Sequence, residues 1–249
     1  MFPFFRKLRE NLLAKNRASR YMLYALGEIV LVVIGILIAL QINTWNEERQ
    51  NRQQEKGIVS TLRQEFHTNR LVLNEVLTRL EKTRKANIIL MDLFGRPEDR
   101  ITGVNTDSLI FESLEYTRFV PSQNALEDLI QSGKLQLISD DRLKNLLYDW
   151  TRVMGRVDEE YSGMKQKTEE ELLAYLTTRY PLKDMDKYGV LNWKESSRLS
   201  IEKTAVFQDI TYENLIDDFL YRLTRYINTL EEAGNIMDKI ISSKDSIVH

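Results

Sequence analysis

One stretch of this chain is apolar enough to cross a lipid bilayer: YMLYALGEIVLVVIGILIALQINTW, residues 21–45. It contains one formal charge, Glu28, and residues 29–40 carry no polar side chain. A helix needs about 20 predominantly apolar residues to span the ~30 Å hydrocarbon layer, whereas a helix at the surface of a soluble domain keeps a polar face. We therefore predict a single transmembrane helix over residues 21–45.

The charges on either side of this helix predict its orientation. Six basic residues and one acid precede it, whereas acids and bases are mixed in residues 46–57. Because Lys and Arg are enriched in cytoplasmic flanks, we expect a cytoplasmic N-terminus and a C-terminal domain on the other side of the membrane. A cleaved signal peptide is the alternative, but Leu40-Gln41-Ile42 offers no small-residue cleavage site. The absence of cysteine excludes disulfides and thiolate metal sites and is compatible with export.

Residues 1–20 form a basic amphipathic segment, in which large apolar residues recur at helical spacing between the bases. This pattern predicts a helix lying in the headgroup layer with its cations on anionic lipid. A docking arm for a cytosolic partner is the alternative. The predicted headgroup contacts are Arg6, Lys7, Arg9, Lys15, Arg17 and Arg20.

Residues 46–249 have a helical pattern almost throughout. Apolar residues at a near-heptad spacing from Val59 to Phe94 predict a long helix that Gly95-Arg96-Pro97 ends, unless it breaks near Gly57. Shorter helices are predicted from Asn105 or Thr106 to about Arg118 and from Ser122 to Gly133. Two long helices follow, one starting at Ser139 and ending before Pro181 and one starting near Asp209 or Thr211.

These elements predict an all-α fold, with an N-terminal interfacial helix and one transmembrane helix leading into a long-helix antiparallel bundle. The predicted divisions are residues 1–20, 21–45 and 46–249. Aromatic and Met stripes on the long helices resemble a cofactor-binding face, but stripes at this spacing are usually core packing, so no cofactor is expected.

The composition argues against nucleic-acid binding and against an enzyme. Of the 35 basic and 37 acidic residues, six bases and two acids precede residue 46, which leaves 29 bases against 35 acids and a net charge near −6. His67 and His249 form no metal-binding pair, and no glycine-rich phosphate loop or nucleophile motif appears. We expect no catalytic residue and no metal.

Glu28 is the one side chain of the span that can carry a mechanism. Placed two turns inside the bilayer, its charge needs a protein partner, a protein interior or water. Val32, Gly35 and Ala39 follow on its side, and Gly35-x-x-x-Ala39 is a small-residue pair that permits close helix approach. Alternatively, the hydrocarbon begins at Ile29, and Glu28 lies at the headgroups. The helix face formed by Glu28, Val32, Gly35 and Ala39 predicts self-association or contact with another membrane protein.

The run YALGEIVLVVIGILIALQINTWNEER, with its Phe-Phe-Arg-Lys-Leu-Arg start, resembles the N-terminal signature of a family of uncharacterised single-pass membrane proteins from Bacteroidota. The segment NALEDLIQSGKLQLI, residues 124–138, is similar to a distal motif of that family. The resemblance implies a bacterial inner-membrane protein with a helical extracytoplasmic domain in the periplasm, and it implies no catalytic residues.

Two functions follow from these patterns. The first is a membrane-anchored extracytoplasmic interaction, sensory or scaffold module, for which Ser122, Gly133 and Lys134 are a candidate partner contact; the alternative for that corner is an ordinary connector. The second is a single-span subunit of an ion-coupled complex or pore, with Glu28 as its protonatable group.

Overall fold

The computed structural model describes residues 17–243, and for residues 17–20 it describes the backbone alone. Residues 1–16 of the predicted interfacial helix, residues 1–20, therefore lie outside the described residues. The chain divides into two compact units, Met1–Lys56 and Gly57–His249. Residues 17–243 contain helices and turns but no strand, which confirms the all-α prediction.

The first unit contains the beginning of helix α1 (Arg17–Leu93). Within it, an 18-residue window reaches a mean hydropathy of 2.6, and none of that window is buried. Its length and composition are compatible with a membrane anchor. Residues 46–56 are polar and, apart from the half-buried Glu55, exposed, and the second unit begins at Gly57.

Eight α-helices contribute to the described part of the chain, most of them in the second unit. After α1 come α2 (Glu98–Ile101), α3 (Thr106–Ser113), α4 (Asn124–Gln131), α5 (Asp141–Gln166), α6 (Leu173–Arg179), α7 (Leu182–Met185) and α8 (Ile210–Ser242). A π-helical segment, Lys167–Leu172, joins α5 to α6 without a break, and 3-10 turns lie at Lys134–Leu137 and Lys203–Gln208.

The core of the second unit lies between α1, α5 with α6, and α8. The ring of Phe66 on α1 meets Trp150 on α5 edge to face, with centroids 5.0 Å apart. Almost every residue predicted for the inner faces of the long helices is buried; the partly buried exceptions are Phe94, Leu146, Tyr161 and Leu215. The predicted core stripes are therefore confirmed as packing surfaces.

Helix α8 runs antiparallel to both other long helices. Arg70 on α1 pairs with Asp238, and Arg156 on α5 pairs with Glu232. Helices α1 and α5 run in the same direction. Phe66 on α1 meets Trp150 on α5 near one end of the core. At the other end, Phe94 on α1 packs against Tyr212 of α8, which stacks on Tyr175 of α6, the continuation of α5.

This parallel pair is possible because the chain returns along α1 in an extended connector, residues 114–123. Thr83 Oγ1 donates to the carbonyl oxygen of Glu115 at 2.9 Å, and Asn87 Nδ2 donates to that of Ser113 at 2.9 Å. Asn69 Nδ2 donates to the carbonyl of Ser122 at 2.7 Å. These buried polar side chains provide partners for connector backbone groups that a helix would otherwise pair internally.

The connector corrects two predicted helix ends. The helix expected to reach Arg118 stops at Ser113, and Ser122 is not the cap of the next helix, which starts at Asn124 after Gln123. Asn105 does cap α3 by accepting from the Ser108 amide. The left-handed backbone at Gly133, with φ +69°, confirms the predicted stop there.

The caps of the long helices agree with prediction to within one residue. Asp140, rather than the neighbouring Ser139, caps α5 by accepting from the Arg142 amide at 2.8 Å. Asp209 caps α8 as predicted, and Gly95, with φ +70°, follows the end of α1. The helical run from Asp141 ends at Arg179, before Pro181.

Candidate interaction surfaces

The predicted membrane-helix face lies on α1 in the first unit. Glu28, Val32, Gly35 and Ala39 are all exposed and follow one another at steps of three or four residues, which places them on one side of the helix. A side chain added at Gly35 would meet nothing within 4 Å. The face is therefore open to the close approach of a second helix.

The structure describes only part of the predicted set of headgroup contacts. Arg6, Lys7, Arg9 and Lys15 lie outside the described residues. Arg17 and Arg20 lie in the first turn of α1, and their side chains are outside the described part.

Helix α4 separates Ser122 from Gly133 and Lys134, the other two residues of the predicted partner contact. The Ser122 hydroxyl donates to Glu65 at 3.1 Å, and its amide donates to Asn69 Oδ1 at 2.9 Å. Gly133 and Lys134 are exposed at the other end of α4. Ser122 therefore holds the connector to α1, while the Gly133-Lys134 corner faces solvent.

The structure exposes an apolar surface between α7 and the 3-10 turn at Lys203–Gln208, in residues 186–202, which we call the 186–202 loop. Its apolar side chains are largely solvent-accessible, with exposed fractions of 103% for Val190, 74% for Leu199, 60% for Leu191 and 46% for Trp193. Tyr188 and Ile201 are also exposed. The sequence signal for this surface is two short groups of apolar residues in a segment without helical periodicity.

Consecutive turns fix the first half of the 186–202 loop. The amide of Tyr188 donates to the Met185 carbonyl at 3.0 Å, and the amide of Asn192 donates to the Gly189 carbonyl at 3.2 Å. Asn192 has φ +44°, the one positive φ at a non-glycine residue among residues 17–243, and Asn tolerates this conformation better than most side chains. These turns place Val190 and Leu191 at a projecting tip.

A partly buried ion network, which we call the Lys203 network, braces the base of the loop. Lys203 Nζ lies 2.7 and 2.8 Å from the two carboxylate oxygens of Asp107 on α3 and 2.8 Å from Asp184 on α7. Asp184 is 4% exposed and also accepts the Ser197 amide of the loop at 2.7 Å. Tyr180 donates its hydroxyl to Asp107 at 2.7 Å.

Burial and hydrogen bonding shift the pKa values of Asp184, Lys203 and Tyr180. Burial acts to raise the pKa of Asp184, but hydrogen bonds from Lys203 and the Ser197 amide outweigh it and lower that pKa below its ordinary value. Burial acts to lower the pKa of Lys203, but Asp107 and Asp184 raise it overall. Burial raises the pKa of Tyr180. All three groups keep one charge state at neutral pH, so the network is a fixed brace.

Lysines surround the aromatic part of the loop. Lys183 Nζ lies over the Trp193 ring, 5.5 Å from its centroid, and Lys187 hydrogen-bonds Ser196. Lys194 is exposed beside Trp193. The loop therefore combines projecting apolar side chains with charges of both signs, since Asp186, Glu195 and Glu202 also lie in it.

A shallow open cleft of about 370 Å³ lies nearby, lined by residues that include Pro97, Glu98, Glu202 and Thr204. Between residues 17 and 243, no three His, Asp or Glu side chains gather into a group that could hold a metal ion.

No curated protein and no solved structure matches the chain. Residues 28–151 match the model of a family described as "Family of unknown function (DUF6090)". The matched region contains most of the apolar span, the connector and residues 124–138, and it ends within α5. The comparison thus supports an uncharacterised family over residues 28–151, with which this part of the chain is similar.

Proposed function

We propose that this protein is a membrane-anchored, non-catalytic interaction or scaffold module, held in the bacterial inner membrane by residues 21–45 with its helical second unit in the periplasm. The observation that carries the proposal is the apolar window of α1, which has a mean hydropathy of 2.6 and no buried residue. An exposed window of this hydropathy is costly to leave in water, and a bilayer is the environment that accepts it without a protein partner.

The second unit supports an interaction role. Its buried apolar core lies entirely between Val59 and Ile240, so the unit does not depend on the span for packing. It nevertheless exposes several large apolar side chains on one braced loop. Exposed apolar groups held in a fixed conformation are typical of binding surfaces.

Extraction and protease accessibility test the anchoring and the orientation. The full chain with a C-terminal tag should stay in the membrane pellet after alkaline carbonate, and external protease should remove the tag from spheroplasts. Leu37→Arg should increase carbonate extraction, because a charge at the centre of the span costs about 3 kcal/mol. Tyr148→Arg, at an exposed position of α5, is the matched control and should remain in the pellet. Release of the unaltered protein, or a protected tag, contradicts the proposal.

The face of Glu28, Val32, Gly35 and Ala39 is proposed to mediate self-association or contact with another membrane protein. Gly35→Ile should weaken association in a membrane-based assay, because the added side chain blocks close helix approach. Gly27→Ile places the same side chain on another side of α1 and should leave association unchanged. Equal effects of the two substitutions contradict this assignment.

A second candidate function uses Glu28 as the protonatable group of an ion-coupled complex. The supporting observation is its exposure on an otherwise apolar helix. One span cannot enclose a pathway alone, so this function requires a multi-span subunit that co-purifies at fixed stoichiometry in mild detergent. Glu28→Gln should abolish coupled transport in that complex while leaving its assembly intact. Purification as a homogeneous self-assembly or free protomer favours the interaction module.

We also propose a finer family assignment for this chain. The N-terminal signature supports a single-pass inner-membrane family of Bacteroidota, whose helical extracytoplasmic domain corresponds to residues 46–249.

A further inference from the structure

We propose that the π-helical turn Lys167–Leu172 is a register correction: it takes up one residue more than a regular α-helix would hold there and so keeps α6 facing the core and α8. Hydrogen bonds in a π-helix span five residues instead of four, so a single π turn can absorb one extra residue. If the same residues were α-helical throughout, everything after the turn would be rotated by about 100° around the helix axis.

The side of the helix that faces the core shows this correction. Trp150 and Thr168 are both buried, and they lie about five α-helical turns apart, on one line along the helix. The next buried residues are Leu172 and Leu176. In an uninterrupted α-helix, Leu176 would have turned about 80° away from that line, whereas one absorbed residue reduces the deviation to about 20°. The core contacts after the turn therefore depend on the extra residue being absorbed.

The side that faces α8 shows the same correction independently. Before the π turn, Arg156 on α5 pairs with Glu232. After it, Nη1 of Arg179 on α6 lies 2.8 Å from Oδ2 of Asp209, the cap of α8. In an uninterrupted α-helix, Arg179 would point about 140° away from the direction of Arg156, whereas one absorbed residue reduces the difference to about 40°. An apolar face and a polar face thus require the same shift.

Side chains of the π turn hold it against two neighbouring elements. Lys167 is largely buried, and its ammonium group lies 2.9 Å from the carboxylate of Asp218 on α8. Glu169 accepts a hydrogen bond of 2.8 Å from the hydroxyl of Tyr116 in the connector. These contacts keep the wider turn at this position of the helix.

The register of α6 also determines how the base of the 186–202 loop is held. Tyr180 directly follows α6, and its hydroxyl donates to Asp107, which also binds Lys203. A rotation of α6 by about 100° would carry Tyr180 away from Asp107 and Leu176 out of the core. The register correction is therefore a condition for the complete Lys203 network.

Single-residue deletions and insertions test the register correction, with thermal unfolding of the full chain in detergent followed by circular dichroism. Deleting the exposed Glu170 should convert the π turn to α-helix with both faces in place, so the unfolding midpoint should fall by no more than about 3 °C. Deleting the exposed Glu159, in the regular part of α5, is the matched control. It rotates the buried Met164 out of the core and should lower the midpoint by about 10 °C. An alanine inserted after Glu170 exceeds what one π turn absorbs and should lower it similarly.

Because the chain has no native cysteine, a single thiol can report the orientation of α6. In the protein without Glu170, the thiol of Leu176→Cys should stay buried and react with a maleimide roughly ten-fold more slowly than that of Ala174→Cys, an exposed position. In the protein with the inserted alanine, this difference should disappear.

Two results would overturn the register correction. One is a midpoint that falls as far without Glu170 as it does without Glu159. The other is a Leu176→Cys thiol that reacts as fast as Ala174→Cys in the protein without Glu170. Neither deletion changes residues 21–45, so carbonate extraction tests the membrane anchor separately.

Discussion

The ammonium group of Lys203 lies 2.8 Å from the carboxylate of Asp184, whose side chain is only 4% exposed. The same ammonium contacts both oxygens of Asp107, so one cation joins a 3-10 turn to α3 and α7. A carboxylate this deeply buried requires a compensating charge. The pair therefore determines whether the base of the 186–202 loop holds its shape.

Lys203→Met should destabilise the protein by about 2 to 4 kcal/mol, because it leaves Asp184 buried without its cation. Thermal unfolding of the full chain in detergent, followed by circular dichroism, measures the change. Arg198→Met is the matched control, since the Arg198–Glu195 pair is highly exposed and its N–O separation is 3.5 Å. An equal shift in both variants would show that the Lys203 network contributes no special stability.

The network predicts a defined pH dependence. The folded-state pKa of Asp184 is lowered, so its contribution to stability is present above its ordinary value of 3.8 and is lost as pH falls through the lower folded-state value. The pKa of Lys203 is raised, so its contribution is present below 10.5 and is lost as pH rises through the higher folded-state value. Asp184→Asn should flatten the acid limb in unfolding curves measured from pH 2 to 6. An unchanged acid limb would contradict the coupling.

The connector provides a test of α1 as its docking surface. Asn69→Ala removes both side-chain hydrogen bonds to the Ser122 backbone at a buried position and should cost about 2 kcal/mol. Ser122→Ala removes only the hydroxyl contact with Glu65 and should have a much smaller effect on the unfolding midpoint. A larger loss for Ser122→Ala would mean that the hydroxyl, rather than the backbone pairing, holds the connector.

Local sequence signals predicted much of the helical pattern. Asn105 and Asp209 act as caps through amides two or three residues away, and Gly95 and Gly133 stop helices through their own backbone conformation. Such interactions depend on few residues, so the sequence contains them directly.

Contacts between residues far apart in the sequence could not be predicted from such local signals. The extended connector depends on Thr83 and Asn87 of another helix, which have no signature in residues 114–123 themselves. The Lys203–Asp107 contact joins positions 96 residues apart, and the exposure of Val190 depends on where the network holds the loop. Candidate residues on the membrane span, by contrast, could be found because hydropathy is a local property.

Two glycines provide the final prediction, because they differ in what an added methyl group would meet. A Cβ at Gly189 would lie 2.7 Å from Cε2 of Phe111, so Gly189→Ala must shift the ring or the loop and should cost about 1 to 3 kcal/mol. Gly155 is exposed within α5, and a Cβ there meets nothing within 4 Å, so Gly155→Ala should stabilise the helix by about 1 kcal/mol.

Thermal unfolding, followed by circular dichroism, compares the two glycine variants. If Gly189 seats the tip of the loop against Phe111, Gly189→Ala should lower the unfolding midpoint, while Gly155→Ala raises it. A Gly189→Ala protein that unfolds at the original temperature would show that Phe111 moves aside freely. The loop would then hold its position through the Lys203 network alone.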